Sequence, residues 1–129
     1  MAGGKFSTPL GRVRGFGSAR SGTQDFWRQR LTAVANVPLT IAFVVIVVGL
    51  LGRNHAAVVQ ILGSPFVAVV MLLFITSVCV HMRIGMQVII EDYVHDDRQK
   101  LFLVIANTFF CVAVGLACAF AIFTLSFKV

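Results

Sequence analysis

Three long apolar runs constrain this chain more than anything else in it: Leu31 to Leu51, Pro65 to Ile90 and Leu101 to Phe127. Each meets or exceeds the roughly 20 residues that an α-helix needs to cross about 30 Å of hydrocarbon. A backbone in lipid has to satisfy its own hydrogen bonds, and single segments of this length do so as helices. Charged residues make up 12% of the 129 positions, about half the roughly 25% of a soluble domain. The sequence therefore predicts an all-α membrane protein with one domain. A basic polar segment covers residues 1–30, and a transmembrane anchor of three helices, at about 31–51, 65–90 and 101–127, covers residues 31–129.

Residues 1–24 are rich in Gly, Ser and Arg and contain no acid. That is the composition of a transit peptide, but no short apolar region with a cleavage site precedes Leu31, which argues against a cleaved secretory signal. The segment reads as a surface tail, with Thr23 or Asp25 placed to cap a short helix through Arg30. Pro38 predicts a kink in the first span, or a join to a polar helix before it. Gly52–Ser64 reads as a short loop, Pro65 as a first-turn residue of the second helix, and Glu91–Lys100 as a strongly polar second loop.

The net charge of +6 is concentrated, because Lys5, Arg12, Arg14, Arg20, Arg28 and Arg30 all precede the first apolar run. Beside a transmembrane helix, such a tail sets orientation and meets anionic lipid or an acidic partner rather than nucleic acid. Arg98 and Lys100 fall on the same side, and only Arg53 and Lys128 fall on the other. The excess puts the N-terminus and the second loop in the cytoplasm, or in the equivalent mitochondrial matrix. Cys79, Cys111 and Cys118 are odd in number, have no metal-motif spacing, and read as buried small hydrophobes. Small residues at Ala113, Ala117 and Ala121, and at Gly115 and Ala119, signal close helix packing. No internal repeat supports an inverted-repeat transporter.

The chemistry concentrates in the second run, which reads His81-Met-Arg-Ile-Gly85-Met-Gln-Val-Ile-Ile-Glu91-Asp92-Tyr93. An ionisable group at bilayer depth faces protein, cofactor or water rather than lipid. Eleven residues of α-helix return to within about 20° of the start after a rise of about 16 Å, so His81 and Asp92 share a face. Two readings of His81 are open: an imidazole hydrogen-bonded to a neighbouring helix, or an axial ligand for haem iron. Gly85 is one turn later, where a missing side chain admits a flat macrocycle, although glycine is common in such helices anyway. Tyr93 is either an interfacial anchor or a phenol donating to a bound carbonyl. Arg83 points about 200° away from His81. Its open options are to reach toward the interface, to pair with Glu91, or to meet a partner's acid.

His81, Gly85 and the Asp92-Tyr93 pair, together with Asp25-Phe26 and Arg30 before the first span, resemble the small hydrophobic anchor of succinate dehydrogenase, in its alphaproteobacterial and mitochondrial form. The resemblance covers residues 24–129. It implies that His81 ligates a haem b shared with a larger cytochrome b anchor, which supplies the second axial histidine. It also implies that Arg30 lies near the haem propionates, that Gly85 packs on the haem, and that Tyr93 and Asp92 form part of a ubiquinone site. FAD and iron–sulfur clusters would belong to the flavoprotein and iron–sulfur partner subunits, with the assembly in a bacterial inner membrane rather than a mitochondrial one. A small multidrug-type exporter is disfavoured, because Leu31–Leu51 lacks the acid such exporters use. A haem-free structural anchor of the fumarate reductase type has no need of His81 with Asp92-Tyr93.

Overall fold

The computed structural model describes residues 21–127, and the basic tail read over residues 1–20 lies outside them. Four helices follow in order: α1 (Ser21–Leu50), α2 (His55–Leu62), α3 (Pro65–Tyr93) and α4 (Asp97–Phe127). No strand occurs among the described residues. The helices α1, α3 and α4 have 30, 29 and 31 residues, or about 45 Å each at 1.5 Å per residue. All three are long and apolar enough to cross a membrane, so the chain is a multi-pass membrane protein of three spans.

Three expectations about element bounds are corrected, the first being the polar second loop of residues 91–100, which shrinks to residues 94–96 because α3 runs on to Tyr93 and α4 starts at Asp97. Thr23 and Asp25 are not caps: both lie inside α1, which runs unbroken from the polar segment through the apolar span. Nothing between them and the span stops a helix, and Asp25 sits 3.9 Å from Arg28, one turn on. Pro38 is carried within the same helix, costing it the hydrogen bond that a proline nitrogen cannot donate. The region 52–64 is also more than a loop. Asn54 caps α2, its side-chain oxygen accepting from the Ala57 amide at 2.9 Å, and one helical turn of capping starts a helix that apolar residues then anchor.

The turns are built by local chemistry. Gly52 takes a left-handed φ of 72° after α1, the conformation that ends helices most readily with glycine. Arg53 folds back to donate from Nε to the Gly49 carbonyl at 2.7 Å, placing a cation at the negative end of the helix. Pro65 opens α3 as the sequence suggests. Asp96 caps α4, accepting from the Gln99 amide at 2.9 Å.

The central element is α3, with α1 and α4 packed on it, while α2 rests mainly against α4. Few side chains are buried: Ala68, Ile84, Ile90, Cys111, Ile122 and Ser77. That is the expected outcome for helices in lipid, where apolar surface gains nothing by leaving its solvent and association relies on close contact and polar bonds. Phe43 of α1 stacks on Phe74 of α3 at 4.7 Å. Gly115 and Ala119 are half-buried toward α3, with Cys79 against Gly115, whereas Ala113, Ala117 and Ala121 are exposed. One small-residue row is therefore used within the chain and the other faces outward. Of the three cysteines, Cys111 is buried, Cys79 half-buried and Cys118 exposed. The expectation of burial fails for Cys118, because no helix among the described residues covers it.

Gly63, between α2 and α3, has no room for a side chain: a Cβ there would lie 2.6 Å from the Leu125 carbonyl oxygen of α4. Gly63→Ala is expected to cost about 1–3 kcal/mol, the range for overpacking. Gly49→Ala, at a site with open space, should cost nothing, because alanine is the better helix former. Thermal unfolding of the extracted complex separates the two; equal midpoints would mean that the α2–α4 contact is slack.

Candidate functional site

The polar residues inside the spans meet along two seams of α3. On the seam with α1, the Thr32 hydroxyl lies 3.1 Å from His81 Nδ1, and Ser77 Oγ donates to the Thr32 carbonyl at 3.4 Å. Gln29 lies over Gly85, where an added Cβ would come within 3.3 Å of its Nε2. Gln29, Thr32 and Asn36 fall three and four residues apart and so share one face of α1. Antiparallel packing sets Gln29 against Gly85, Thr32 against His81 and Phe43 against Phe74. His81 is about 24 Å from the start of α3 and about 18 Å from its end at the standard helical rise, which places it near mid-span.

These polar neighbours were not singled out in the sequence, where the candidates were His81, Gly85, Arg30, Asp92 and Tyr93. The signal was present as Gln29, Thr32 and Asn36 at helical spacing across the polar–apolar boundary. It was hidden by the assumption that the polar helix and the span were separate. The structure joins them, and the joined helix carries the stripe onto α3.

Toward the α3–α4 turn, the seam widens into a cleft of about 410 Å³, lined by Asp25, Phe26, Gln29 and Arg30 from α1 and by Ile84, Gln87, Val88 and Glu91 from α3. Arg30 is exposed at the rim, with its guanidinium 4.4 Å from the Phe26 ring centroid. Asp25 offsets Arg28, leaving Arg30 as the other cation near this cleft. Asp92 and Tyr93 end α3 outside it, and Tyr93 is 77% exposed. Within this chain the fold thus joins His81 and Gly85 to α1, brings Arg30 to the cleft above them, and leaves Asp92 and Tyr93 free at the boundary.

The seam with α4 holds Arg83. Its Nε donates to Thr108 Oγ1 at 3.3 Å, and its carbonyl accepts from Asn107 Nδ2 at 2.9 Å. Glu91 instead accepts from Gln87 at 2.8 Å, so the pairing of Arg83 with Glu91 is not made. The side chain turns to the opposite seam from His81, as the helical angle requires.

Among the described residues, no group of three or more His, Cys, Asp or Glu side chains comes together to hold a bare metal ion. A single imidazole suits a metal that arrives with its own macrocycle, as haem iron does. The residues fit that use. His81 is half-buried at mid-span, with Nδ1 engaged by Thr32 and no partner in the described chain for Nε2. Nearby, the side-chain oxygens of Gln29 and Asn36 are buried without a hydrogen-bond donor. These oxygens call for a hydrogen-bond donor, which ionised haem propionates do not offer, so they lend the haem reading no support. In this chain alone, the space over Gly85 is taken by Gln29.

The fold and site together define a small three-span membrane subunit with a polar seam inside its spans and a polar boundary beside it. A family model described as succinate dehydrogenase/fumarate reductase transmembrane subunit matches residues 5–115. The succinate dehydrogenase hydrophobic membrane anchor subunit of Paracoccus denitrificans is 31% identical over 105 residues, covering 81% of this chain and 81% of that protein. The succinate dehydrogenase membrane anchor subunit of Reclinomonas americana is 34% identical over 85 residues, 64% of this chain and 71% of that protein. The anchor subunit of Rickettsia bellii is 25% identical over 118 residues, 92% of this chain and 94% of that protein. No solved structure matches. The chain belongs to the succinate dehydrogenase/fumarate reductase transmembrane-subunit family.

The exposure of Asp92 at the end of α3 generates a prediction. Asp97 lies in the first turn of α4, where its charge opposes the helix dipole favourably and acts locally. Asp92→Ala should damage assembly or activity of the complex more than Asp97→Ala does. Equal losses would mean that only the total charge of the turn matters.

Proposed function

We propose that this chain is the small hydrophobic anchor of a succinate:ubiquinone oxidoreductase, in which His81 is an axial ligand of a haem b and Tyr93 with Asp92 contributes to the ubiquinone-reduction site. The observation that carries the reading is the state of His81. Its ring is held at mid-span by Thr32 through Nδ1, while Nε2 has no partner within the described chain, and Tyr93 stands at the boundary twelve residues on. The Thr32 contact ties His81 to the neighbouring helix and leaves the second ring nitrogen available to a ligand from outside this chain.

The larger cytochrome b anchor supplies the second histidine, since only one histidine of this chain lies within a span. Arg30, a cation at the cleft above His81, would meet the propionates. Gly85 has no side chain of its own beside His81, and Gln29, which lies over it in this chain, would have to swing aside for a macrocycle to pack there. When bound, the haem supplies a one-electron carrier whose potential is set by its ligands, their hydrogen bonds and burial.

Electrons taken from succinate by the flavoprotein subunit reach ubiquinone through the iron–sulfur subunit. Reduction to ubiquinol consumes two electrons and two protons. The Tyr93 phenol donates a hydrogen bond to one quinone carbonyl, and this bond strengthens as negative charge develops on the oxygen. Asp92 is exposed beside it and links that site to water and its protons. Both side chains are open on this chain because the site is completed by the partner subunits. The excess of Lys and Arg on the tail and second turn supports a cytoplasmic or equivalent matrix-facing position for this boundary.

The test is a reduced-minus-oxidised absorption spectrum of the extracted complex. A b-type band is expected in the wild type, and it should be lost or shifted in His81→Leu. An identical band in the two proteins would remove His81 as a ligand, and no band in the wild type would remove the haem. Tyr93→Phe should retain the band and lower quinone reduction by about ten-fold or more, within the range for losing one donor to a developing oxyanion. Unchanged turnover would remove Tyr93 as that donor.

A further inference from the structure

The Thr32 hydroxyl has one proton and three polar neighbours. They are the Arg28 carbonyl at 2.8 Å, the Gln29 carbonyl at 3.1 Å and His81 Nδ1 at 3.1 Å. A carbonyl oxygen only accepts, so contact with either carbonyl spends the hydroxyl proton. The nearest neighbour is the Arg28 carbonyl, four residues back, which is the common partner of a threonine inside a helix. With its proton spent there, the Thr32 oxygen faces His81 as an acceptor. Nδ1 then carries the imidazole proton, and in a neutral ring Nε2 is left as a bare lone pair. Thr32 is itself fastened to α3 one turn before His81, where Ser77 donates to its carbonyl.

We propose that Thr32 is a positioning residue that fixes His81 in its Nδ1-protonated form and so reserves Nε2 for the haem iron. The inference rests on the haem reading above and adds the residue on which the ligand's tautomer and aim depend. A histidine ligand whose second nitrogen donates to a fixed acceptor is held in orientation and made a stronger base, and loss of such a partner commonly weakens metal binding by about 10–100-fold. A stronger base favours the ferric state. Removing the acceptor therefore raises the midpoint potential and lets the ring turn.

The experiment compares wild type, Thr32→Val, Thr32→Ser and His81→Leu in the assembled, extracted complex. The readouts are haem content, midpoint potential and the low-temperature electron paramagnetic resonance of the ferric haem. In Thr32→Val, the potential should rise, the resonance should shift or broaden, and haem retention in detergent should fall by about ten-fold. Thr32→Ser keeps the hydroxyl and should restore all three. Wild-type potential and resonance in Thr32→Val, with full haem content, would overturn the proposal while the band lost in His81→Leu still upheld the haem reading. A wild type without a b-type band would overturn both. Should Thr32→Val fail to assemble, Thr32→Ala is read against Thr32→Ser: a displaced potential in the alanine variant alone supports the role, and identical potentials overturn it.

Discussion

The contact between Thr32 and His81 is the one on which the rest of the arrangement depends. In lipid, two apolar helices have little reason to prefer each other over acyl chains, so their register is set by polar bonds and by places where backbones can approach. The seam between α1 and α3 has both: Thr32 meets His81, Ser77 meets the Thr32 carbonyl, and Gly85 leaves room for Gln29. Sliding either helix by one residue would break all of these at once. The same bonds that fix the register also fix the one imidazole at mid-span, so helix packing and the aim of that ring have a single origin.

The rest of the chain is arranged around a thin layer rather than a core. Among the described residues no large side chain is fully buried, and wide apolar faces of α1 and α4 stay uncovered. For a soluble domain this would be a fault. For a subunit of a membrane complex it means that lipid and partner subunits are the remaining walls, which agrees with a family whose members are transmembrane subunits of a larger enzyme. It also explains why Tyr93 and Asp92 stand open at the boundary.

The three spans were legible in the sequence because hydrocarbon thickness imposes a length that only a long apolar run satisfies. Pro65 marked the start of α3 correctly. The start of α1 was misread because polarity was taken for a helix boundary, whereas Thr23 to Arg30 contains nothing that breaks a helix. The helix α2 was missed because His55–Leu62 is too short for periodicity to show, and its signal was the cap at Asn54. Among site residues, His81 was legible because an imidazole is expensive in hydrocarbon. Its partner was not, since a threonine in a span usually satisfies itself on its own helix, and Thr32 does this as well as facing His81. The place of Arg83 against Thr108 needed the structure, because only the packing of α4 shows which neutral oxygen lies within reach.

The central claim is that His81 binds iron through Nε2 while Thr32 holds Nδ1. The most direct measurement is an electron cryo-microscopy map of the intact complex at side-chain resolution. The account predicts haem density against α3, with iron bonded to His81 Nε2 and the Thr32 hydroxyl still within hydrogen-bond distance of Nδ1. Haem held by two residues of the larger subunit, or a His81 ring turned from Thr32 with no haem beside it, would contradict it.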